Sequence, residues 1–475
     1  MSDLALRPLH SHSGTRKPLP PAPRWRNVPL VPADIRHRQL NSAAVILFGF
    51  LVALFVGTVL LMLPASTVNP GGLPLLPALF TATSALCVTG LAIVDTATYW
   101  TTFGKVVIAV LIQVGGFGVM SFATILGQAV VRKANLSANV ISAVERRTAV
   151  GGIAPLLRRV LLVSIVVEAL VALALTARFV ALGYPLSRAL GHGVFHAVSA
   201  FNNAGFALYS DNMTGFVGDW WVCVPIMAAI IIGGLGFPVL FQFRRDVFHL
   251  HRWTLNTRMV VAGTLFLLCF STATILAMEW NNPRTLGGLP ASDAVLAGLF
   301  QAVQTRTSGF NSVDIGGMHE PTLFAMDLFM FVGAGPAGTA GGVKITTVLV
   351  LVAAVSAVVR GRTQPVMLGK GVPVEVVHQA ITVVMLSGAL VVAATFALLA
   401  LTPFHLSEVL FEVLSAFGTV GLSTGITPHL DAPSLLVIIF MMIVGRLGPI
   451  TVATAFAFAE PASKILLPYE RPIIG

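Results

Sequence analysis

Charge is what this chain lacks. Of its 475 residues only 10% are charged, against 56% hydrophobic, whereas a soluble domain of ordinary composition carries about 25% charged residues. That shortage excludes an ordinary water-soluble globule and places the chain in the membrane class. Cysteine is scarce too: Cys87, Cys223 and Cys269 lie far apart inside apolar stretches, which excludes a disulfide framework or a zinc pattern. No GxxxxGK[ST] phosphate loop is present, so ATP hydrolysis by this chain is not expected. HExxH and paired intramembrane aspartates are missing as well, which argues against an intramembrane enzyme. The formal charge of +10 raises nucleic acid as a partner, but the placement of the cations points to membrane orientation instead.

Long apolar runs are what the chain has. Residues 1–40, rich in Pro and Arg, read as a disordered or surface-lying cytoplasmic tail. They are too long and proline-rich for a signal peptide, and the apolar run that follows is too long for its core, so nothing is expected to be cleaved. Eight segments near the ~20 residues of a bilayer span follow: 41–63, 104–129, 157–182, 219–241, 258–279, 322–357, 374–402 and 433–458. Between the members of each successive pair lies a short, related segment. Phe80 opens FTATSALCVTGL, Phe195 opens FHAVSAFNNAGF, Phe300 opens FQAVQTRTSGF and Phe411 opens FEVLSAFGTVGL. Each is too short to cross and ends on one glycine: Gly90, Gly205, Gly309 or Gly421. The interval from Phe300 to Gly309 is one residue shorter than the others, which makes the set asymmetric.

The repeating unit is span, half-helix, glycine loop, span. It divides the chain into a tail over 1–40, units over 41–130, 157–245, 258–357 and 374–458, and a cytoplasmic tail over 459–475. Each unit returns the chain to its starting side, so the repeats are parallel. The fold class expected is an all-α membrane protein with four parallel repeats in a pseudo-fourfold arrangement around one pore. With both termini cytoplasmic, the inner segments carry Arg36, Arg38, Arg132, Lys133, Arg146, Arg147, Arg158, Arg159, Arg244, Arg245, Arg252, Arg258, Arg360, Arg362, Lys370, Lys464 and Arg471. Outside fall only Lys105, Arg178, Arg188, Arg284 and Arg306. The distribution obeys the positive-inside rule.

Non-helical backbone at membrane depth is tolerated only where protein buries it or where it lines a wet cavity. Four such loops meeting on one axis could stack rings of carbonyl oxygens that replace a cation's hydration shell. Glycine is suited there because it adopts conformations closed to other residues, and half-helices ending at the axis present negative dipole ends to a cation. The blander reading, four ordinary re-entrant connections, suits one copy better than four in corresponding places. The expected filter residues, holding K⁺, are Val88, Thr89, Gly90, Asn203, Ala204, Gly205, Thr307, Ser308, Gly309, Thr419, Val420 and Gly421.

On the residues Val88-Thr89-Gly90-Leu91, Asn202-Asn203-Ala204-Gly205-Phe206, Thr305-Arg306-Thr307-Ser308-Gly309-Phe310 and Thr419-Val420-Gly421-Leu422, the chain resembles the potassium-translocating subunits of the Trk/Ktr/HKT superfamily. The resemblance covers about 40–460 and looks closest to KtrB-type members, because the first span leads directly into the first loop; TrkH-type members carry additional spans ahead of it. It implies potassium uptake by a multi-pass cell-membrane protein acting as a homodimer, gated by a cytoplasmic nucleotide-binding ring of the KtrA/TrkA type. It also implies K⁺ as the transported ion and Na⁺ as a candidate activator, with no organic cofactor in this chain and no nucleic acid as partner.

Two features break the repeat. Gly115-Gly116-Phe117-Gly118, Gly233-Gly234-Leu235-Gly236 and Gly445-Arg446-Leu447-Gly448 align, small residues permitting close helix approach, but Arg446 stands where its siblings have glycine. A charge at mid-span costs about 2.5–3.5 kcal/mol on insertion scales and faces a cavity or a partner. Either it is a structural arginine bonded to loop carbonyls, or it is a cation below the filter that repels the permeating ion; both can hold. In the third unit, Gly335, Pro336, Ala337, Gly338, Thr339, Ala340, Gly341 and Gly342 cannot stay a regular helix. The expectation is an intramembrane gate facing Arg446; the alternative is a static kink. The resemblance matches this run to the family's gating loop, with Lys344 in its Gly-Gly-x-Lys ending.

His192 and His196 have metal-like spacing without an acidic or Cys partner, so packing or hydrogen bonding outweighs zinc. Glu412 attracts cations or caps a helix. Asp95 and Asp314 follow their glycines and either concentrate cations at the outer mouth or are solvated loop acids. The second functional class is a cation-coupled secondary transporter binding a larger solute, whose signature is a pair of interrupted spans; the sequence offers one.

Overall fold

The computed structural model describes residues 33–118 and 153–448. Expectations for 1–32, for the inner cations Arg132, Lys133, Arg146 and Arg147, and for 449–475 lie outside the described residues. The chain divides into two units, Met1–Val45 and Ile46–Gly475. Apart from the start of its first helix, every element below belongs to the second.

Helices dominate because nearly every long stretch is apolar and free of interior breakers. The order long helix, short helix, loop, helix occurs four times. First come α1 (Ala33–Met62), α2 (Leu75–Leu86) and α3 (Thr102–Gly118). Then follow α4 (Ile153–Ala181), α5 (Leu186–Phe201), α6 (Trp220–Leu235) and α7 (Phe237–Asp246). Next are α8 (Leu255–Glu279), α9 (Ala291–Gln304), α10 (Glu320–Phe331) and α11 (Ile345–Val359), and last α12 (Val374–Leu401), α13 (Leu406–Gly418) and α14 (Ala432–Leu447). A two-residue hairpin, β1 (Val366–Met367) with β2 (Lys370–Gly371), joins α11 to α12. Its turn residues Leu368 and Gly369 both have positive φ, as a hairpin of matching twist requires.

The short helices begin where the sequence forces them to. Pro74, Pro185 and Pro290 stand at the N-caps of α2, α5 and α9; proline has no N–H to leave unbonded at a helix start. α13 begins instead with a reciprocal cap in which the amide of His405 donates to Glu408 Oε2 at 2.9 Å.

Polarity is inverted relative to a soluble protein. The first helix of each set exposes large apolar side chains: Phe55 on α1, Leu173 on α4, Phe266 on α8 and Phe396 on α12. Buried polar residues collect instead around the loops, among them Thr83, Ser84, Ser199, Asn202, Asn203, Gln301, Gln304, Glu412 and Ser415. Apolar surface of that extent facing outward suits lipid. Among the described residues, α4, α8 and α12 are each long and apolar enough to cross a membrane.

One expected span breaks. The run 219–241 reads as continuous, but α6 stops at Leu235 and α7 departs at 100°. Gly236, at φ 86°, makes the corner and packs against the Pro336 carbonyl. A second span is thus interrupted besides the third unit's.

Candidate ion pathway

Each short helix delivers its C-terminus into a loop of the same backbone form. Val88, Asn203, Thr307 and Thr419 have φ of 57°, 62°, 75° and 50°, and two residues later Gly90, Gly205, Gly309 and Gly421 have 93°, 71°, 74° and 91°. A non-glycine residue at positive φ is uncommon, so the same pair at four loops marks a specified conformation. Three loops are closed identically: Thr89, Ala204 and Val420 donate their amides to the carbonyls of Ser84, Ser199 and Ser415, five residues back, at 2.8, 2.7 and 2.7 Å. The third reaches only four back, from Ser308 to Gln304 at 3.1 Å. The missing residue is therefore absorbed at the helix end, and the dihedral pattern of Thr307 and Gly309 is preserved.

The glycines approach one another in cyclic order. A Cβ on Gly90 would collide with the Ala204 carbonyl and crowd Gly205; one on Gly205 would strike Ser308 O and Gly309. One on Gly309 would strike Val420 O and Gly421, and one on Gly421 would strike Thr89 O and Gly90. The four backbones close a ring that admits no side chain at these positions. The hydroxyls of Thr89, Thr307, Ser308 and Thr419 are buried there without a protein hydrogen-bond partner, which suits groups that serve water or a bare cation.

Behind the ring, the aligned glycines make one recurring contact. Gly115 lies on the Leu86 carbonyl, Gly233 on that of Phe201 and Gly445 on that of Phe417, so the later helix touches the last turn of its own short helix. In front, His196 on α5 uses both ring nitrogens: Nδ1 bonds His192 O at 2.7 Å and Nε2 bonds the Leu208 amide at 3.1 Å. At the matching position on α13, Glu412 accepts from Ser423 Oγ at 2.8 Å and from Thr427 Oγ1. Both residues tie the half-helix to the chain leaving the ring, while the His192 ring packs against Phe179 and Tyr209. Asp95 lines an open vestibule together with Gly90, Gly205 and Ser210. Partial burial pushes its carboxyl up, but hydrogen bonds from Ser210, Thr98 and the Ala97 amide outweigh this and hold it below the usual range. Asp314 instead pairs with Arg284 at 3.4 Å and caps a turn.

The run from Val332 to Lys344 is not helical and forms a loop: Val332 bridges Val343, and the Gly333 amide donates to Val343 O at 2.8 Å. It also completes the end of α6. The Gly233 and Gly234 carbonyls, left over at a helix C-terminus, accept from the amides of Thr339 and Gly335 at 3.2 and 2.9 Å. Toward the ring, the Thr339 hydroxyl meets the Asn203 amide group at 3.0 Å, and Gly341 lies against the Thr419 side chain. Two cations hold the run. Lys344 Nζ donates to Ala340 O at 2.5 Å and to Gly341 O at 3.3 Å. Arg446, 3% exposed, donates to Thr339 O and, at 3.0 Å, to Gly115 O. Gly335, Pro336, Ala337 and Gly338 lie against α6 and its corner.

Some residues of this neighbourhood escape a reading of the sequence. Arg306, counted above with the outer cations, is buried in the third loop and donates to Thr264 O at 3.2 Å. Glu168 on α4 and Gln113 on α3 both accept from Asn202 Nδ2, at 3.2 and 2.9 Å, bracing the second loop from behind. A lone acid in an apolar span was the available signal.

The family model described as TrkH, cation transport protein, matches residues 50–466. The chain belongs to the TrkH family of cation transport proteins. It is 40% identical over 431 residues to the Ktr system potassium uptake protein B of Bacillus subtilis, covering 90% of this chain and 96% of that one. To the protein of the same name from Vibrio alginolyticus it is 38% identical over 461 residues, covering 95% and 99%. The crystal structure of the potassium transporter TrkH from Vibrio parahaemolyticus shares its fold, with a TM-score of 0.68 at 17% identity over 87% of this chain and 84% of that one. Both relatives of this TrkH-family chain are potassium uptake proteins.

Proposed function

We propose that this TrkH-family protein takes up potassium through a single pore whose selectivity filter is the ring of Val88–Gly90, Asn203–Gly205, Thr307–Gly309 and Thr419–Gly421. The four units stand in pseudo-fourfold arrangement about that pore. The observation that carries this reading is the cyclic order Gly90, Gly205, Gly309, Gly421, each backbone against the next. Ions enter at the vestibule beside Asp95, exchange water for backbone and hydroxyl oxygens, and meet the loop 335–342 with Arg446 and Lys344. The two side chains place positive charge on carbonyls that a passing cation would otherwise use, so the loop is a closed gate. An inside-negative potential drives the ion inward, at about 2.3 kcal/mol per charge per 100 mV. The chain acts as a membrane homodimer with cytoplasmic termini and a nucleotide-binding regulatory ring, with sodium as an activator.

A coupled transporter of a larger solute is favoured by one observation: the spans broken at Gly236 and at 332–344 touch each other, as paired broken helices do in that class. Rubidium uptake into proteoliposomes separates the two. The conduit reading requires uptake that follows the imposed potential, that potassium competes for and sodium competes for poorly, and that no neutral solute affects. Uptake strictly dependent on a second solute's gradient overturns it.

A further inference from the structure

The corner at Gly236 sets α7 at 100° to α6. Were α6 to run straight across the membrane, α7 would lie along its surface; the chain beyond it forms a projecting turn. Phe248 at its tip is 91% exposed, more than any other large apolar side chain among the described residues, and Val247 and Leu250 are exposed beside it. Arg244, Arg245, His249, His251 and Arg252, all exposed, flank this apolar tip in the chain. Asp246, the one acid among residues 244–252, is buried and accepts from Arg245 Nε at 2.7 Å, with Arg252 at 3.7 Å. Arg244 has no ion pair among the described residues.

The turn is held in shape rather than loose. Trp253 packs on Phe243 with ring centroids 5.1 Å apart and donates Nε1 to Asp246 O at 3.0 Å. Gln242 donates to Arg252 O at 2.9 Å and accepts from the Thr254 amide at 3.2 Å and from Thr257 Oγ1 at 2.6 Å. These bonds clamp residues 247–253 between α7 and the start of α8. An apolar tip presented by a rigid support and flanked by cations, which that crossing would put at the level of the membrane surface, matches the interfacial pattern in which apolar side chains enter the headgroup boundary and basic ones meet anionic lipid.

We propose that the turn Val247–Arg252 is a binding site for anionic phospholipid: Phe248 and Leu250 enter the acyl boundary, and Arg244 and Arg252 bind headgroup phosphate. The site anchors the α6–α7 corner, and with it the surface against which Pro336 packs.

The test uses the full chain carrying Phe248→Cys and Cys269→Ser, labelled with an environment-sensitive fluorophore and reconstituted in vesicles of phosphatidylcholine with increasing phosphatidylglycerol. Nitroxide-bearing lipid is expected to quench the label increasingly with the phosphatidylglycerol fraction. Arg244→Gln or Arg252→Gln should each weaken this by up to about fivefold, the equivalent of ~1 kcal/mol per surface cation. A label quenched by aqueous iodide and not by lipid overturns the proposal, as does quenching indifferent to lipid charge or to both arginines. Exposure that ends only on adding a cytoplasmic protein also overturns it and assigns the turn to that partner. Leu250→Cys repeats the measurement if the first variant does not reconstitute, and rubidium uptake by the same vesicles reports the pore separately.

Discussion

Arg446 donates a hydrogen bond to the carbonyl oxygen of Thr339, 107 positions earlier in the chain. The bond joins α14 to the one stretch of α10–α11 backbone that is not helical, and a second bond from the same guanidinium reaches Gly115 in α3. A single buried cation thus ties together three parts of the chain at the base of the ring. Arg446→Ala should raise rubidium flux several-fold, because it removes both the charge and the latch. A hydrogen bond to a charged group is worth about 1.5–3 kcal/mol, so the melting temperature should fall as well. Lower stability with unchanged flux would leave Arg446 a packing role only.

Gly205 has φ 71°, and its Cα faces the Ser308 carbonyl and Gly309. A side chain there costs about 1–2 kcal/mol in backbone conformation alone and forces the neighbouring loop outward. Gly205→Ser is expected to reduce discrimination between potassium and sodium by about tenfold, the equivalent of ~1.4 kcal/mol. Competition of sodium against rubidium uptake measures it; an unaltered ratio removes Gly205 from the filter.

The glycine behind each short helix makes a different prediction. Gly445 lies on the Phe417 carbonyl, with no filter or gate side chain among the nearest atoms, so Gly445→Ala should lower stability rather than change selectivity. Overpacking of this kind costs about 1–3 kcal/mol. Thermal unfolding in detergent should show the drop, with the sodium-to-potassium preference of the surviving protein unchanged.

Asp95 offers a pH test. Its carboxyl is held below the usual range, so its negative charge is complete above that range and is lost as pH falls through the lowered value. Between about pH 5 and pH 8, well above the ordinary aspartate value, its effect on uptake should stay constant. Asp95→Asn should slow uptake at low ionic strength and matter less at high salt, where screening shortens the reach of a surface charge. Initial rates at two salt concentrations decide this, and a salt-independent loss would assign Asp95 to holding Ser210 and Thr98 alone.

Glu412 accepts two hydroxyls, from Ser423 and Thr427. Glu412→Ala removes the acceptor of both hydroxyls and leaves buried Thr427 only its bond to Ser423 Oγ at 2.9 Å, at about 1–3 kcal/mol, whereas Glu412→Gln keeps an acceptor. The alanine variant should lose more stability than the glutamine variant; equal losses would mean that the charge, not the hydrogen bonding, is what the site needs.

Local and repeated features were legible in the sequence. Hydrophobic length marked the helices, since a span is a matter of composition over ~20 residues. Recurrence marked the four loops, because Gly90, Gly205, Gly309 and Gly421 end related segments. Density of breakers marked the interruption at 335–342, because proline and glycine act on their own backbone. The corner at Gly236 was hidden for the same reason: one glycine in an apolar run bends only where something bends it, and the Pro336 carbonyl comes from a hundred residues away.

What the sequence determined by itself is therefore the kind of backbone at each point: which stretches are apolar helix, which must break, and which four loops are alike. Only the tertiary structure decided which groups meet. It brought Arg306 from the expected outer surface to Thr264, gave Asn202 to Glu168 and Gln113, and set Arg446 on Thr339. Backbone preference is local chemistry, written residue by residue; the partner of a buried charge depends on the packing of segments far apart in the chain, and no single stretch encodes it.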